Sequence, residues 1–312
     1  MFSRVPAVKS PRLKSRVALC AAIAGGALAA ASPASASTLA VDSGGALRFT
    51  AAWGEANVVR ATDLNTGGVM VVTDTGSKIK VGRGCVQVSP HEGRCPVTFG
   101  QDFLIDLADR DDSARAQTFE LLKRVRITGG WGDDTIEDLP QLGAEVSGGP
   151  GEDTITVHPN FGGIVDVHGG IGDDVISAVS ATGVVDGDAG DDEITLFTFI
   201  DPPGGASAAY GGFGDDTINA GGATAISLID GGWGDDAITT TDFATASVIN
   251  GGFGADSITA VPGHAEQINA GPGRDVVDGG DDGDTIDCGL GIDRYVVYAG
   301  DTSTRCEIPF TP

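Results

Sequence analysis

The feature that most constrains this chain is an eight-residue pattern, Gly-Gly-x-Gly-x-Asp-x-Ile, that recurs from residue 129 onward. The copies read GGWGDDTI from Gly129, GGPGEDTI from Gly148, GGIGDDVI from Gly169, GDAGDDEI from Gly187 and GGFGDDTI from Gly211. GGWGDDAI from Gly231, GGFGADSI from Gly251, AGPGRDVV from Ala270, GGDDGDTI from Gly279 and CGLGIDRY from Cys288 follow. Successive copies start 19, 21, 18, 24, 20, 20, 19, 9 and 9 residues apart. A unit of 9 residues holds a turn and a short strand, so two units make one coil, and the widely spaced copies fall on one side of successive coils. The unit between them has lost its glycine turn but kept its strand. A β-branched residue stands two places before nearly every turn, at Ile127, Val146, Val167, Val185, Ile229, Ile249, Ile268, Val277 and Ile286, with Ala209 the exception. The eighth positions supply a facing column of Ile136, Ile155, Ile176, Ile194, Ile218, Ile238, Ile258, Val277 and Ile286. One inward residue per strand cannot sustain a coil alone, so stacked coils must share one narrow core. The fold class predicted is all-β: a parallel β-roll, or β-helix, of these repeats.

The turns need glycine because they visit backbone angles closed to other residues and bring the main chain close to a ligand. Their sixth-position Asp suits a hard cation, which prefers oxygen ligands, with carboxylates supplying the charge. That Asp is present in all ten copies: Asp134, Asp153, Asp174, Asp192, Asp216, Asp236, Asp256, Asp275, Asp284 and Asp293. The fifth position is acidic in six, at Asp133, Glu152, Asp173, Asp191, Asp215 and Asp235. Turn preference alone explains single Gly-Asp pairs, but not one octet held in register over this length.

The pattern GGxGxDxUx resembles the RTX, or haemolysin-type, calcium-binding nonapeptide repeat, over residues 129 to 296. The resemblance implies Ca²⁺ ions between the turns of successive coils, held by the sixth-position carboxylates and turn carbonyls, so that the Asp column becomes the ligand set. Nine turns share one side, which implies a one-sided ladder of up to roughly eight ions. The turn at Gly279 is the one good copy on the far side, and Asp282 replaces its fourth-position glycine. The stretch from Leu107 to Ala114 reads as an eroded copy with Asp112 at the sixth position, expected to cap the roll.

The 44 Asp and Glu outweigh 19 Lys and Arg, for a net charge of −25. Five of those cations (Arg4, Lys9, Arg12, Lys14 and Arg16) precede an uncharged run from Val17 to Ala31 and a small-residue Ala34-Ser35-Ala36. Residues 1–36 therefore read as a Sec-type secretory signal, and the remaining chain is still more acidic. So acidic a surface repels nucleic acid and concentrates cations. No later stretch is apolar enough to span a membrane. Four cysteines remain, in an oxidising compartment, and proximity favours the disulfides Cys85–Cys95 and Cys288–Cys306. Residues 37–106 are expected to form an N-terminal β cap, 107–296 the calcium-binding β-roll, and 297–312 a C-terminal cap. This layout is similar to secreted calcium-binding proteins of actinobacteria.

No catalytic motif emerges. His91-Glu92 lacks the second histidine of a zinc protease, and no GxSxG occurs. His158, His168 and His264 fall at unrelated repeat positions and read as surface residues. The third turn position carries Phe213, Trp233 and Phe253 on consecutive coils, expected to face solvent. These rings either stack on each other and shield the ions or form a surface for cell-wall polysaccharide or another surface component. The function expected is a non-enzymatic, extracellular calcium-binding protein that folds on its ions and serves as a structural or adhesive module. The alternative is a cryptic polysaccharide-acting hydrolase built on a calcium β-roll, disfavoured because only about 90 residues lie between the signal and the repeats.

Overall fold

A computed structural model describes residues 36–64, 68–117, 122–139, 143–159, 163–179, 182–198, 207–222, 226–241, 248–260, 265–281, 283–296 and 298–310. Residues 1–35 of the expected signal (1–36), His264 and Asp282 lie outside the described residues. All regular structure among the described residues is β-strand. The strands form two long sheets of 14 and 15 strands, to which the coils contribute alternately. From Gln101–Asp106 onward in the first sheet and Ser113–Gln117 onward in the second, each new strand pairs in parallel with its predecessor one coil before. The result is a parallel β-solenoid.

Register explains why such short strands suffice. In the first sheet Phe49, Ile105, Ile127, Val146, Val167, Val185, Ala209, Ile229, Ile249, Ile268 and Ile286 stand opposite one another in file. In the second, Val59, Ala114, Ile136, Ile155, Ile176, Ile194, Ile218, Ile238, Ile258 and Val277 do the same. Every member of both files is buried. Sequence spacing leaves Val277 and Ile286 available to either column; the register gives Val277 to Ile258 and Ile286 to Ile268. A fully buried aliphatic side chain contributes about 1.5–3 kcal/mol, and here nearly all of it is exchanged with the coils directly above and below.

The N-terminal part is antiparallel. Ser37–Val41 pairs with Leu47–Thr50, and Val58–Leu64 pairs with Val69–Asp74, which pairs in turn with Glu92–Pro96. Leu47–Thr50 and Val58–Leu64 also pair in parallel with the first coil, so both sheets pass from the hairpins into the roll without a break. Large side chains concentrate here, with Leu39, Phe49, Met70 and Phe103 buried. Cys85 and Cys95 are disulfide-bonded beside them. At the other end Cys288 is bonded to Cys306, and Thr302–Thr304 and Ile308–Phe310 add the last strands. The Arg294 guanidinium lies 4.7 Å over the Phe310 ring there.

The turns stack main chain on main chain. At Gly151 (φ 149°) any Cβ would collide with the carbonyl oxygen of Gly132 one coil below. The eroded turn manages without glycine: Ala108 and Arg110 take φ values of 75° and 82° at its second and fourth positions.

Candidate metal centre

The sixth-position carboxylates form a continuous hydrogen-bonded file. The backbone N–H of Asp134 donates to Oδ1 of Asp153 at 2.7 Å, and Asp153 donates likewise to Asp174 at 2.7 Å. The same bond links Asp174 to Asp192, Asp192 to Asp216, Asp216 to Asp236, Asp236 to Asp256, Asp256 to Asp275 and Asp275 to Asp293, all at 2.8–2.9 Å. Nine of the ten carboxylates expected from the sequence are thus brought together. The tenth, Asp284, is not. It accepts from the Glu266 N–H at 2.9 Å, and its own N–H donates to Asp301, in a short second file.

Each bond satisfies one oxygen and strands the other. Oδ2 of Asp134, Asp153, Asp174, Asp192, Asp216, Asp236, Asp256, Asp275 and Asp293 is buried with no hydrogen-bond partner. In the turns from Gly129 to Gly251 that oxygen packs against the Cα of the turn's first residue, beside the first carbonyl of the next coil. A Cβ on Gly148 would collide with Oδ2 of Asp153 and approach the Gly169 carbonyl oxygen to 2.6 Å. Two acceptors, one of them a carboxylate oxygen, therefore converge on one space with no hydrogen-bond partner for the carboxylate oxygen. A buried charge left unpaired in this way is costly, and its repetition along the file is the signature of a cation-binding edge.

The electrostatics agree. Burial pushes the Asp216 carboxyl up to about 8, against the Asp192 N–H that pulls it down, with the charges of Asp236 and Asp192 adding to the rise. Burial likewise lifts Asp134, Asp174, Asp256 and Asp275 to about 7, and Asp153, Asp192 and Asp236 to about 6. Among the described residues no basic side chain hydrogen-bonds to the file.

Three features escape sequence reasoning. Asp112 belongs to the file: its N–H donates to Oδ1 of Asp134 at 2.8 Å, it accepts from Asn57 N–H, and its Oδ2 is buried without a partner. The sequence places Asp112 at the sixth position of an eroded copy, 22 residues before Asp134, but without glycines that turn was expected to be a cap alone. At the far end Glu307 closes the file by accepting from the Asp293 N–H at 3.0 Å. The third feature is a second, exposed ladder of opposite sense at the fifth position. There Oδ1 of Asp191 accepts from Asp215 N–H at 2.8 Å, Asp215 from Asp235 at 2.7 Å, and Asp235 from Ala255 at 2.6 Å.

The third-position rings stand on the outside of the same turns. Phe213, Trp233 and Phe253 are each more than half exposed and lie opposite one another in register. Trp233 stacks on Phe253 with centroids 4.5 Å apart and tilts against Phe213 at 6.1 Å. Beside them runs a shallow groove of about 410 Å³, floored by Gly212, Gly232 and Gly252 and walled by Asp186, Tyr210 and Asp230.

Fold and site together define a parallel β-solenoid with a file of buried carboxylates along one edge. Comparison with protein families places that class: the RTX calcium-binding nonapeptide repeat matches residues 124–137, 204–224 and 263–295, in four copies. Over these residues the chain carries calcium-binding repeats of the RTX type. Comparison with curated proteins and with solved structures gave no match. No helix among the described residues is long and apolar enough to cross a membrane.

Proposed function

We propose that this is a secreted protein that folds on binding a one-sided ladder of Ca²⁺ ions and serves as a structural or adhesive module outside the cell. The observation that carries the reading is the file of partnerless Oδ2 atoms beside turn carbonyls. Asp134, Asp153, Asp174, Asp192, Asp216, Asp236, Asp256, Asp275 and Asp293 are the carboxylate ligands, with the carbonyls of the glycine turns completing each ion's oxygen shell. Up to roughly eight ions fit between the nine turns, and the Asp112 turn offers one further gap. Asp284, in the short file with Glu266 and Asp301, is a separate and isolated candidate.

Calcium supplies what the apo roll lacks. The core is narrow, with one to three buried apolar side chains per strand of the roll in the two long sheets where the sequence predicted one, and the chain carries a large excess of negative charge. Ions that bind the folded turns and not the unfolded chain add their binding free energy to folding. Extracellular calcium modules bind at about 10⁻⁴–10⁻³ M, which holds the chain open until export. Far-UV circular dichroism with millimolar Ca²⁺ and then with EGTA tests this. The β signal is expected to collapse on chelation and return on re-addition; equal β content in both states would refute the reading. The exposed Phe213–Trp233–Phe253 stack, with the hydrogen-bonding groups of Asp186, Tyr210 and Asp230 beside it, supplies the adhesive face, and cell-wall polysaccharide is the partner it suits.

A further inference from the structure

We propose that His168, Asp186 and Asp188 form a second metal site, outside the calcium file, for a borderline divalent ion of the Zn²⁺ type. They sit on neighbouring coils: Ile164–Ile171 pairs in parallel with Thr182–Ala189, placing His168 opposite Asp186 and Gly170 opposite Asp188. One donor atom from each residue lies within 4.8 Å of the other two, a spacing that closes onto one ion with bonds of about 2.0–2.2 Å. The donor set separates this site from the calcium turns. Calcium takes oxygen ligands, whereas an imidazole nitrogen with two carboxylates suits zinc and its neighbours.

The two faces of the imidazole have different partners. Nε2 of His168 lies 3.4 Å from Oδ1 of Asp166, and Nδ1 lies 3.2 Å from Oδ2 of Asp188. A neutral imidazole carries one proton. With that proton on Nε2 toward Asp166, Nδ1 presents its lone pair to the carboxylates of Asp188 and Asp186, an arrangement that a bound cation resolves. Asp166 then orients the ring from behind, as the outer carboxylate does for metal-bound histidines generally.

Asp188 is also the point at which this turn departs from the others. The second position is glycine in every other copy of the octet, and Asp188 holds the turn's left-handed conformation there at φ 71°. Its side chain and that of His168 are each about two-fifths exposed, open to an ion from solvent. Asp186 and Asp188 thus both come from the coil whose octet carries Asp188 where every other copy has glycine.

Isothermal titration of the calcium-saturated full chain with zinc chloride tests the site, because saturating Ca²⁺ occupies the oxygen-only turns. One Zn²⁺ per chain is expected. Asp188→Gly restores the residue of the other turns, so it is expected to abolish zinc binding and leave calcium-dependent folding unchanged. His168→Ala is expected to do the same, and Asp166→Asn to weaken binding by about 10–100-fold. Zinc uptake that survives both Asp188→Gly and His168→Ala would place the ion elsewhere and overturn the proposal. No uptake by the unmodified chain would overturn it equally.

Discussion

The backbone N–H of Asp192 donates to Oδ1 of Asp216 at 2.8 Å, and that bond leaves Oδ2 of Asp216 buried without a donor. One contact thereby does two things: it locks consecutive coils together and aims a bare carboxylate oxygen at the carbonyl of Gly231. Repeated along the file, it would tie coil stacking to the proposed cation binding.

Asp216→Asn separates the two. The amide oxygen still accepts from Asp192, while an NH₂ replaces the stranded oxygen. The metal-free fold is expected to gain about 1–3 kcal/mol, the usual cost of an unsatisfied buried polar group. The calcium-loaded form is expected to lose at least one ion. Residual β content by circular dichroism in EGTA and calorimetric calcium titration check the two halves; a variant with less residual structure than the parent without metal would contradict the assignment.

The pH dependence of the metal-free chain follows from the same residues. From Asp134 to Asp275 the file's carboxyls have folded-state values raised to about 6–8 by burial, above the ordinary carboxylate value of 3.8. For a group raised on folding, the stability contribution is complete below the unfolded value and is lost as pH climbs through the folded one. The EGTA-treated chain should therefore be most folded near pH 4 and lose structure between about pH 5 and pH 8. With saturating Ca²⁺ the trend reverses, because the ion needs the ionised form. Circular dichroism across that range in both conditions checks it; a metal-free chain that gains structure on alkalinisation would refute it.

The roll was legible in the sequence because its periods are physical. Gly148 and Gly151 are glycine because neighbouring main chain and Asp153 fill the space of a side chain, and Ile155 is β-branched and apolar because it stacks between Ile136 and Ile176. What stayed illegible depends on register or conformation. Asp112 was legible as the sixth position of an eroded copy, but its place in the carboxylate file was not, because Ala108 and Arg110 adopt glycine's backbone angles without being glycine. The opposed fifth-position ladder, from Asp191 to Ala255, depends on which carboxylate oxygen faces up the roll and which faces down. The His168–Asp188 contact joins positions that share a face only after the 18-residue coil closes.

Ile218→Ala tests how the core carries load. Ile218 is fully buried between Ile194 and Ile238, and truncating such a residue costs about 2–5 kcal/mol. In a nearest-neighbour stack the loss stays local. Hydrogen exchange of the calcium-loaded variant is expected to rise in the coils containing Ile194, Ile218 and Ile238 while the Ile136 coil stays protected. Uniform deprotection would show that the roll unfolds as one unit.

The terminal disulfide should act just as locally. Cys288–Cys306 closes a span of 18 residues over the last coil, a constraint worth about 3 kcal/mol in chain-entropy terms. Replacing both cysteines by serine is expected to expose the chain after Gly279 to proteolysis and weaken the calcium site at Asp293, with the Asp134 end unaffected. Mass analysis of limited digests locates the cut; cleavage first in the N-terminal hairpins would contradict the local picture.

The aromatic stack provides the test of adhesion. Trp233 holds the central place, against Phe253 on one side and Phe213 on the other, and remains 56% exposed. Rings that exist only to cover the turns should contribute to calcium-dependent folding and to little else. Rings that receive a sugar should contribute to retention on polysaccharide and little to folding, because a side chain this exposed buries little area within the roll. Trp233→Ala is therefore expected to fold with the same calcium midpoint and bind insoluble cell-wall polysaccharide about 2- to 10-fold more weakly, the loss of one stacking contact of about 0.5–1.5 kcal/mol. Co-sedimentation in calcium measures the second quantity and circular dichroism the first. Unchanged sedimentation with a shifted calcium midpoint would assign the stack to the roll's own stability.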